Sequence, residues 1–128
     1  MTYYVNRRWT TAKKTVNNNG RMNDSKFEAG YANELILRKK AGDIKDFEEQ
    51  VTLDLEVNGY RVCTYRIDFI VYHNDGMTEY VECKGYPTDV WKLKWKLFEA
   101  LFTDKPDTRL TIEMQGKYKP PKLRKLIK

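Results

Sequence analysis

The chain is poor in the residues that build metal fingers and histidine-based active sites. Its 128 residues include one histidine, His73, and two cysteines, Cys63 and Cys83, with no CxxC pair. A zinc finger needs paired Cys or His ligands at short spacing, so it is not expected, and a histidine-metal nuclease of the HNH type is excluded. Because both cysteines lie inside predicted strands, we expect buried free thiols.

Long hydrophobic runs are also missing. No apolar stretch approaches the roughly 20 residues that a membrane helix needs, and the start, MTYYVNRRWTTAKK, lacks the apolar segment of a secretory signal. We therefore expect the protein in the cytoplasm of a cell or of an infected host. With 41% apolar and 33% charged residues, the composition is typical of one globular domain with its own core.

Positive charge is concentrated at the two ends of the chain. Residues 1–26 carry six Lys/Arg and one acid, a net +5; residues 117–128 carry six and no acid, a net +6; residues 27–116 carry 12 basic and 17 acidic residues, a net −5. Basic arms bind polyanions such as nucleic acid, although such tails also serve solubility. The arm residues expected to contact nucleic acid are Arg7, Arg8, Lys13, Lys14, Lys117, Lys119, Lys122, Arg124 and Lys125.

Turn residues and hydrophobic periodicity predict the element order α-β-β-β-α-β, with a mixed sheet and helices packed on it (an α/β, or α+β, fold). A basic arm over 1–24 precedes a folded domain over 25–116, and a basic tail over 117–128 follows it. The predicted helices cover about 26–41 and 88–102, and the predicted strands cover about 50–57, 60–72, 78–84 and 108–114.

Asp68, Glu82 and Lys84 are the chemically most informative residues. Asp68 lies in the apolar run TYRIDFIVYH, and Glu82 and Lys84 lie in MTEYVECKGY, with Glu82 fourteen positions after Asp68. Residues i and i+2 of a strand share a face, so Glu82 and Lys84 point the same way, and a neighbouring strand can bring Asp68 beside them. Two carboxylates and a lysine on one wall suit hydrolysis of a phosphodiester with Mg²⁺.

Each of these residues also has an ordinary structural interpretation. Asp68 can lie on an edge strand whose polar face meets solvent, or form a buried ion pair with Arg66. Alternating charges such as those of Glu82 and Lys84 decorate many exposed strands. The combination of an acid, then acid-x-lysine on the next strand, then a glycine and a lysine-rich helix favours catalysis over these alternatives.

Glu28 supplies a third carboxylate. At about 100° per residue, the first helix places Glu28 on the arc of Tyr31, Leu35 and their apolar neighbours, whereas Glu34 falls outside it. Glu28 therefore points toward the sheet and can reach the metal. The alternative is a capping box, in which Glu28 bonds to the backbone of Ser25.

The second helix carries an aromatic stripe that we expect in the core: Trp91, Trp95, Phe98 and Phe102, continued by Leu93, Leu97 and Leu101. Lys94 falls inside this arc, so it either extends outward along the apolar surface or reaches the active site to hold a phosphate. Gln50, at the head of the first predicted strand, is placed to hydrogen-bond near the site.

Glu28, Asp68 and Glu82-Cys83-Lys84, in this order and on these elements, resemble the PD-(D/E)xK nuclease superfamily. The segments SKFEAGYANELILRKKAGDIKDFEEQ, IDF, VECKG and KLKWKLFEALF resemble small phage-encoded endonucleases of that superfamily, over about residues 25–112. The arrangement is also similar to Holliday junction resolvases of the bacteriophage endonuclease I type. One departure is that Ile67 stands where a proline often precedes the first acid.

The resemblance implies a restriction-endonuclease-like core and a role for each residue. Asp68, Glu82 and the Cys83 carbonyl would ligate Mg²⁺, for which Mn²⁺ can substitute. Glu28 would complete the site directly or through water. Lys84 would orient or help deprotonate the attacking water and stabilise the developing charge.

The function expected from these features is metal-dependent DNA endonuclease activity that is structure-selective on branched DNA in phage DNA metabolism. Resolving a four-way junction needs two symmetric cuts, and hence a homodimer. The alternatives are a general duplex or single-strand nicking nuclease and a noncatalytic nucleic-acid-binding protein. No residue excludes RNA as the substrate.

Overall fold

A computed structural model describes residues 4–7, 15–16, 22–23 and 26–126 of the chain, with side chains from Lys26 onward. The helices are α1 (Lys26–Lys40) and α2 (Asp89–Phe102). The strands are β1 (Tyr4–Arg7), β2 (Thr15–Val16), β3 (Met22–Asn23), β4 (Asp46–Val57), β5 (Tyr60–Tyr72), β6 (Thr78–Lys84) and β7 (Thr108–Met114). From α1 to β7 the order is α-β-β-β-α-β, which confirms the predicted fold class.

Five strands form one mixed sheet in the order β1-β7-β6-β5-β4. The neighbours β4, β5 and β6 are antiparallel, whereas β6, β7 and β1 run parallel. No strand is predicted from the sequence in residues 1–24, so β1 and the small β2–β3 pair are additions to the predicted order. The β1 segment YVNR is too short for its alternation to stand out in the sequence.

Local signals account for the turns that hold these elements. Asn58 and Gly59, with φ of 54° and 83°, form the tip of the β4–β5 hairpin, as an Asn-Gly pair favours. Gly42, with φ of 80°, follows the end of α1. The Thr88 hydroxyl caps α2 by accepting a 3.2 Å hydrogen bond from the Trp91 amide.

The two helices cover opposite faces of the sheet. Trp91, Trp95 and Phe98 of α2 pack with Leu110 and Ile112 of β7 in one buried cluster. The second cluster joins α1 to the other face through Tyr31, Ala32, Leu35, Ile44, Phe69, Val71 and Val81. Each face of the sheet therefore has its own core, as in a three-layer α/β/α arrangement.

The prediction that Leu93 is buried in the second helix is wrong. It was expected to continue the buried stripe, but 70% of its surface is exposed. At about 100° per residue, Leu93 lies about 200° around the helix from Trp91, on the side that faces away from the sheet. Trp91, Trp95 and Phe98 are in the core as predicted, and the half-buried Phe102 packs against it.

Within residues 26–126, neither helix combines the length and hydrophobicity needed to span a membrane.

Replacing Phe98 by alanine tests whether the aromatic stripe carries the core. Phe98 is fully buried, with ring centroids of Tyr65, Trp95 and Phe102 between 4.6 and 5.4 Å away. We expect Phe98→Ala to lower the free energy of unfolding by about 3–5 kcal/mol, measured by urea denaturation. Leu93→Ala on the exposed side of α2 is the control, with an expected change under about 0.5 kcal/mol. Equal losses would contradict the assignment of these faces.

Candidate active site

The sheet forks where the candidate acids lie. Pairing between β5 and β6 ends at Phe69 and Val81. Beyond this point β5 continues beside β4, whereas β6 continues beside β7 as far as Lys84. The two strands therefore diverge next to Asp68 and Glu82, and the gap leaves room for side chains where main-chain hydrogen bonds would otherwise run.

Asp68 is an irregular position in β5. Tyr65 and Ile67 belong to the core under α2, whereas Phe69 and Val71 belong to the core under α1. The two-residue alternation of a strand is therefore interrupted at Asp68. On β4, Gln50 lies between the residues paired with Ile67 and Phe69, and its φ is 53°. The two strands are thus distorted at the same level.

The Asp68 side chain replaces part of the missing strand pairing. The Cys83 amide of β6 donates a 2.8 Å hydrogen bond to Asp68 Oδ2. This contact closes the end of the fork and directs the Asp68 carboxylate toward β6. Asp68 lies on an interior strand, because β4 covers the outer edge of β5, so the edge-strand interpretation of this residue is wrong.

The three predicted carboxylates meet in this fork. The charges of Glu82 and Glu28 both act on Asp68, all three acids line one cleft, and the glutamates are only 3% and 5% exposed. Gln50 Nε2 donates a 3.5 Å hydrogen bond to Glu28 Oε2, as expected for a residue near the site. The predicted inward orientation of Glu28 is therefore observed, whereas Ser25, its alternative partner, lies outside the described residues.

Two aromatic residues hold Glu82 from the α2 side. Trp91 Nε1 lies 2.7 Å from Glu82 Oε2 and 3.1 Å from the Tyr65 hydroxyl oxygen. The other carboxylate oxygen, Glu82 Oε1, is buried and has no hydrogen-bond partner among the described residues. An unpartnered buried carboxylate oxygen is costly, so this atom is available for a further ligand.

Burial and mutual repulsion dominate the electrostatics of the site. Burial, followed by the charges of Glu82 and Glu28, raises the pKa of Asp68 well above its usual range. Burial also raises the pKa of Glu82, although the hydrogen bond from Asp68 and the charge of Lys84 oppose it. The site therefore favours a proton, or another positive charge, among its carboxylates.

The donor set fits a hard divalent cation such as Mg²⁺, which prefers oxygen ligands. Asp68, Glu82 and Glu28 supply carboxylates whose repulsion a cation would relieve, and Glu82 Oε1 lacks any other partner. Among the described residues, no three His, Cys, Asp or Glu side chains already stand as a group that holds an ion. Binding one therefore requires the carboxylates to change their arrangement.

The acids open into a cleft of about 460 Å³ whose lining also includes Lys84 and Lys94. Lys84 is half-buried, with Nζ 5.3 Å from the centre of the Trp91 ring. Lys94 is half-buried and also lines the cleft, and its role in holding a phosphate stays a prediction. Arg66 also lines the cleft and is exposed, so the buried ion pair with Asp68 is not formed.

Several further lining residues were not predicted as part of the site, among them Tyr65, Gly85, Trp91 and Gln115. Gln115 lies beside the site because the parallel strands β6 and β7 end at the same level of the sheet. The backbone N–H of Gln115 donates a 2.9 Å hydrogen bond to the Lys84 carbonyl. A Cβ on Gly85 would stand 2.9 Å from Gln115 Oε1, so glycine leaves room for this side chain. The signal available in the sequence is the similar end of the two strands, which is ECKG for β6 and EMQG for β7.

The basic arms are only partly described. Lys117, Lys119, Lys122, Arg124 and Lys125 are exposed in a segment without helix or strand as far as residue 126. Lys125 also lies 3.2 Å from Asp104 in a surface ion pair. Of the N-terminal arm, Arg7 is described through its backbone in β1, and Arg8, Lys13 and Lys14 lie outside the described residues. Both cysteines are free and half-buried.

Comparison with known proteins yields one family. The family model described as "Protein of unknown function (DUF1064)" matches residues 7–120. No curated protein and no solved structure matches the chain.

Asp68→Asn is expected to stabilise the protein when no divalent ion is present. The pKa of Asp68 is raised by folding, so its stabilising contribution is complete below the unfolded pKa of about 3.9 and is lost as the pH rises through the folded pKa. Asparagine stays neutral and can still accept the Cys83 hydrogen bond. At pH 8 in EDTA we expect Tm to rise by about 3–8 °C, measured by circular dichroism.

The pH and metal dependence of Tm separate this effect from general stabilisation. The gain should shrink at pH 4, and Mg²⁺ should stabilise the wild type more than the variant. Asp54→Asn, at an exposed position of the same sheet, is the control and should leave Tm within about 2 °C. A lower Tm for Asp68→Asn at pH 8 in EDTA would show that the ionised Asp68 carboxylate does not destabilise the folded protein.

Proposed function

We propose that this chain, which belongs to the DUF1064 family, is a metal-dependent DNA endonuclease of the PD-(D/E)xK type. The observation that carries the proposal is the fork in the sheet, where Asp68, Glu82 and Glu28 meet beside Lys84 in one cleft. Clustered buried acids with raised pKa values in a cleft are typical of functional sites. A cluster that combines such acids with lysines fits hydrolysis of a phosphodiester.

In this proposal Asp68, Glu82 and the Cys83 carbonyl hold Mg²⁺ or Mn²⁺, and Glu28 completes the site directly or through water. The ion supplies a lowered pKa for the attacking water and neutralises phosphate oxygens. Trp91 and Tyr65 keep the Glu82 carboxylate oriented, and Gln50 does the same for Glu28. Such supporting hydrogen bonds commonly decide the affinity of a metal site.

The two lysines of the cleft have separate roles. Lys84 follows Glu82 by two residues on β6, and its charge acts on the Glu82 carboxylate. It is therefore placed to orient the attacking water and to stabilise negative charge that builds on the phosphate. Lys94 reaches the same cleft from α2, where a second fixed cation positions the phosphate before the reaction.

The substrate we propose is branched DNA in phage DNA metabolism, in the cytoplasm of the host. The exposed basic tail supports binding to the phosphate backbone without reading bases. Cutting a four-way junction twice with symmetry requires a homodimer.

One observation favours a noncatalytic nucleic-acid-binding protein as the second candidate. No described group of three acids is already arranged to hold an ion, and the basic tail would bind nucleic acid without one. Metal dependence separates the two: a binder tolerates EDTA and Asp68→Asn without losing affinity.

Incubation with a labelled four-way junction and a matched linear duplex, with Mg²⁺ or EDTA, tests the proposal directly. We expect symmetric, Mg²⁺-dependent cutting of the junction and at least a 100-fold lower rate for Asp68→Asn, measured on denaturing gels. Equal cutting of both substrates would reduce the function to a general endonuclease. Binding without cutting, indifferent to metal and to Asp68→Asn, would identify the noncatalytic binder.

Glu28→Gln and Glu34→Gln form a matched pair on α1. Glu28 is buried at the acid cluster, whereas Glu34 is exposed. Glutamine keeps the shape of the side chain but removes the negative charge, so Glu28→Gln should lower the cleavage rate by at least tenfold, and Glu34→Gln should change it less than twofold. Similar losses in both variants, measured under single-turnover conditions, would leave Glu28 with a structural role only.

A further inference from the structure

Three apolar side chains stand exposed at the mouth of the catalytic cleft. Tyr86, Val90 and Leu93 are 81%, 66% and 70% exposed. Tyr86 and Val90 line the cleft together with the acids, and Leu93 is one helical turn beyond Val90 on α2. The opposite side of α2, with Trp91 and Trp95, covers the sheet, so this apolar rim (Tyr86, Val90, Leu93) is not part of the core.

Cations surround the same mouth. Lys84 and Lys94 line the cleft behind the rim, and Arg66 lies exposed at its wall. An arrangement of fixed cations beside an exposed aromatic ring matches a nucleotide, in which a charged phosphate and a flat apolar base are one sugar apart. A rim of three residues is much smaller than the 20–30 residues per side of a stable protein interface, so charge and size both favour nucleic acid over a second copy of the chain.

The geometry of stacking determines which bases of a DNA substrate an aromatic side chain can contact. In continuous duplex DNA both faces of each base are covered by neighbouring bases. An aromatic side chain can stack only on a base that is unpaired or has lost a neighbour, as in a single strand or at a branch point. A stacking aromatic side chain therefore distinguishes these nucleotides from those of continuous duplex DNA.

We propose that Tyr86, supported by Val90 and Leu93, stacks on a base with an open face beside the phosphate in the cleft, and so selects single-stranded or branched DNA. This inference rests on the proposed nuclease function. It assigns the selectivity to a side chain that contacts the substrate base, outside the acids that perform the reaction.

The test measures binding apart from cleavage. Affinities of the full-length protein in EDTA are determined by fluorescence anisotropy for a forked DNA with single-stranded arms and for a linear duplex of equal length. We expect Tyr86→Ala to weaken fork binding about tenfold, in the range found when a stacked aromatic residue is replaced by alanine, and to change duplex binding less than twofold. Tyr86→Phe keeps the ring and should bind the fork within twofold of the wild type.

Tyr60→Ala is the matched control, because Tyr60 is 76% exposed but lies at the β4–β5 hairpin and does not line the cleft. It should leave both affinities unchanged. A fork containing 2-aminopurine at the branch should lose fluorescence on binding the wild type and Tyr86→Phe, but not Tyr86→Ala. This readout reports the stacking itself.

Two outcomes overturn the inference. Equal affinity of Tyr86→Ala and wild type for the fork would exclude stacking. A shift of Tyr86→Ala from dimer to monomer in sedimentation, with equal losses on fork and duplex, would assign the rim to contact between two copies. Cleavage by the wild type with Mg²⁺ is scored separately: if it persists in either case, the proposed nuclease function stands without this selectivity.

Discussion

The repulsion among three carboxylates in a poorly hydrated fork is the interaction on which the site depends. Burial and the neighbouring acids raise the pKa of Asp68, so the site is destabilised when its acids are all ionised and lack a cation. Proteins retain such groups where function needs them and offset their cost elsewhere. Here the offset comes from two aromatic and aliphatic cores, one on each side of the sheet.

The fork links the fold to the chemistry. β6 pairs with β7 over its whole length to Lys84, whereas it pairs with β5 only as far as Val81. The freed Cys83 amide is satisfied by the Asp68 carboxylate, so the acid serves as a structural link as well as a candidate ligand. The same divergence places the buried Glu82 and the half-buried Lys84 in the lining of the cleft.

Much of this arrangement was predictable from local patterns. The alternation in MTEYVECKGY assigned Glu82 and Lys84 to one face, and the helical period of the first helix turned Glu28 toward the sheet while leaving Glu34 outside. Leu93 was predicted in the buried stripe, but it lies about 200° around the helix from Trp91, on the exposed side. β1 was missed because four residues carry too little pattern, and Gln115 because its position depends on which strands are neighbours.

The sequence by itself determined the elements, their order and the chemical types at the site, because turn residues and hydrophobic period act over short distances along the chain. Only the tertiary structure decided that β5 changes its buried face at Asp68, that Trp91 bonds to both Glu82 and Tyr65, and that Tyr86 stands at the mouth of the cleft. These features depend on strand pairing and on packing between residues far apart in sequence, and no periodicity within a single segment records such contacts.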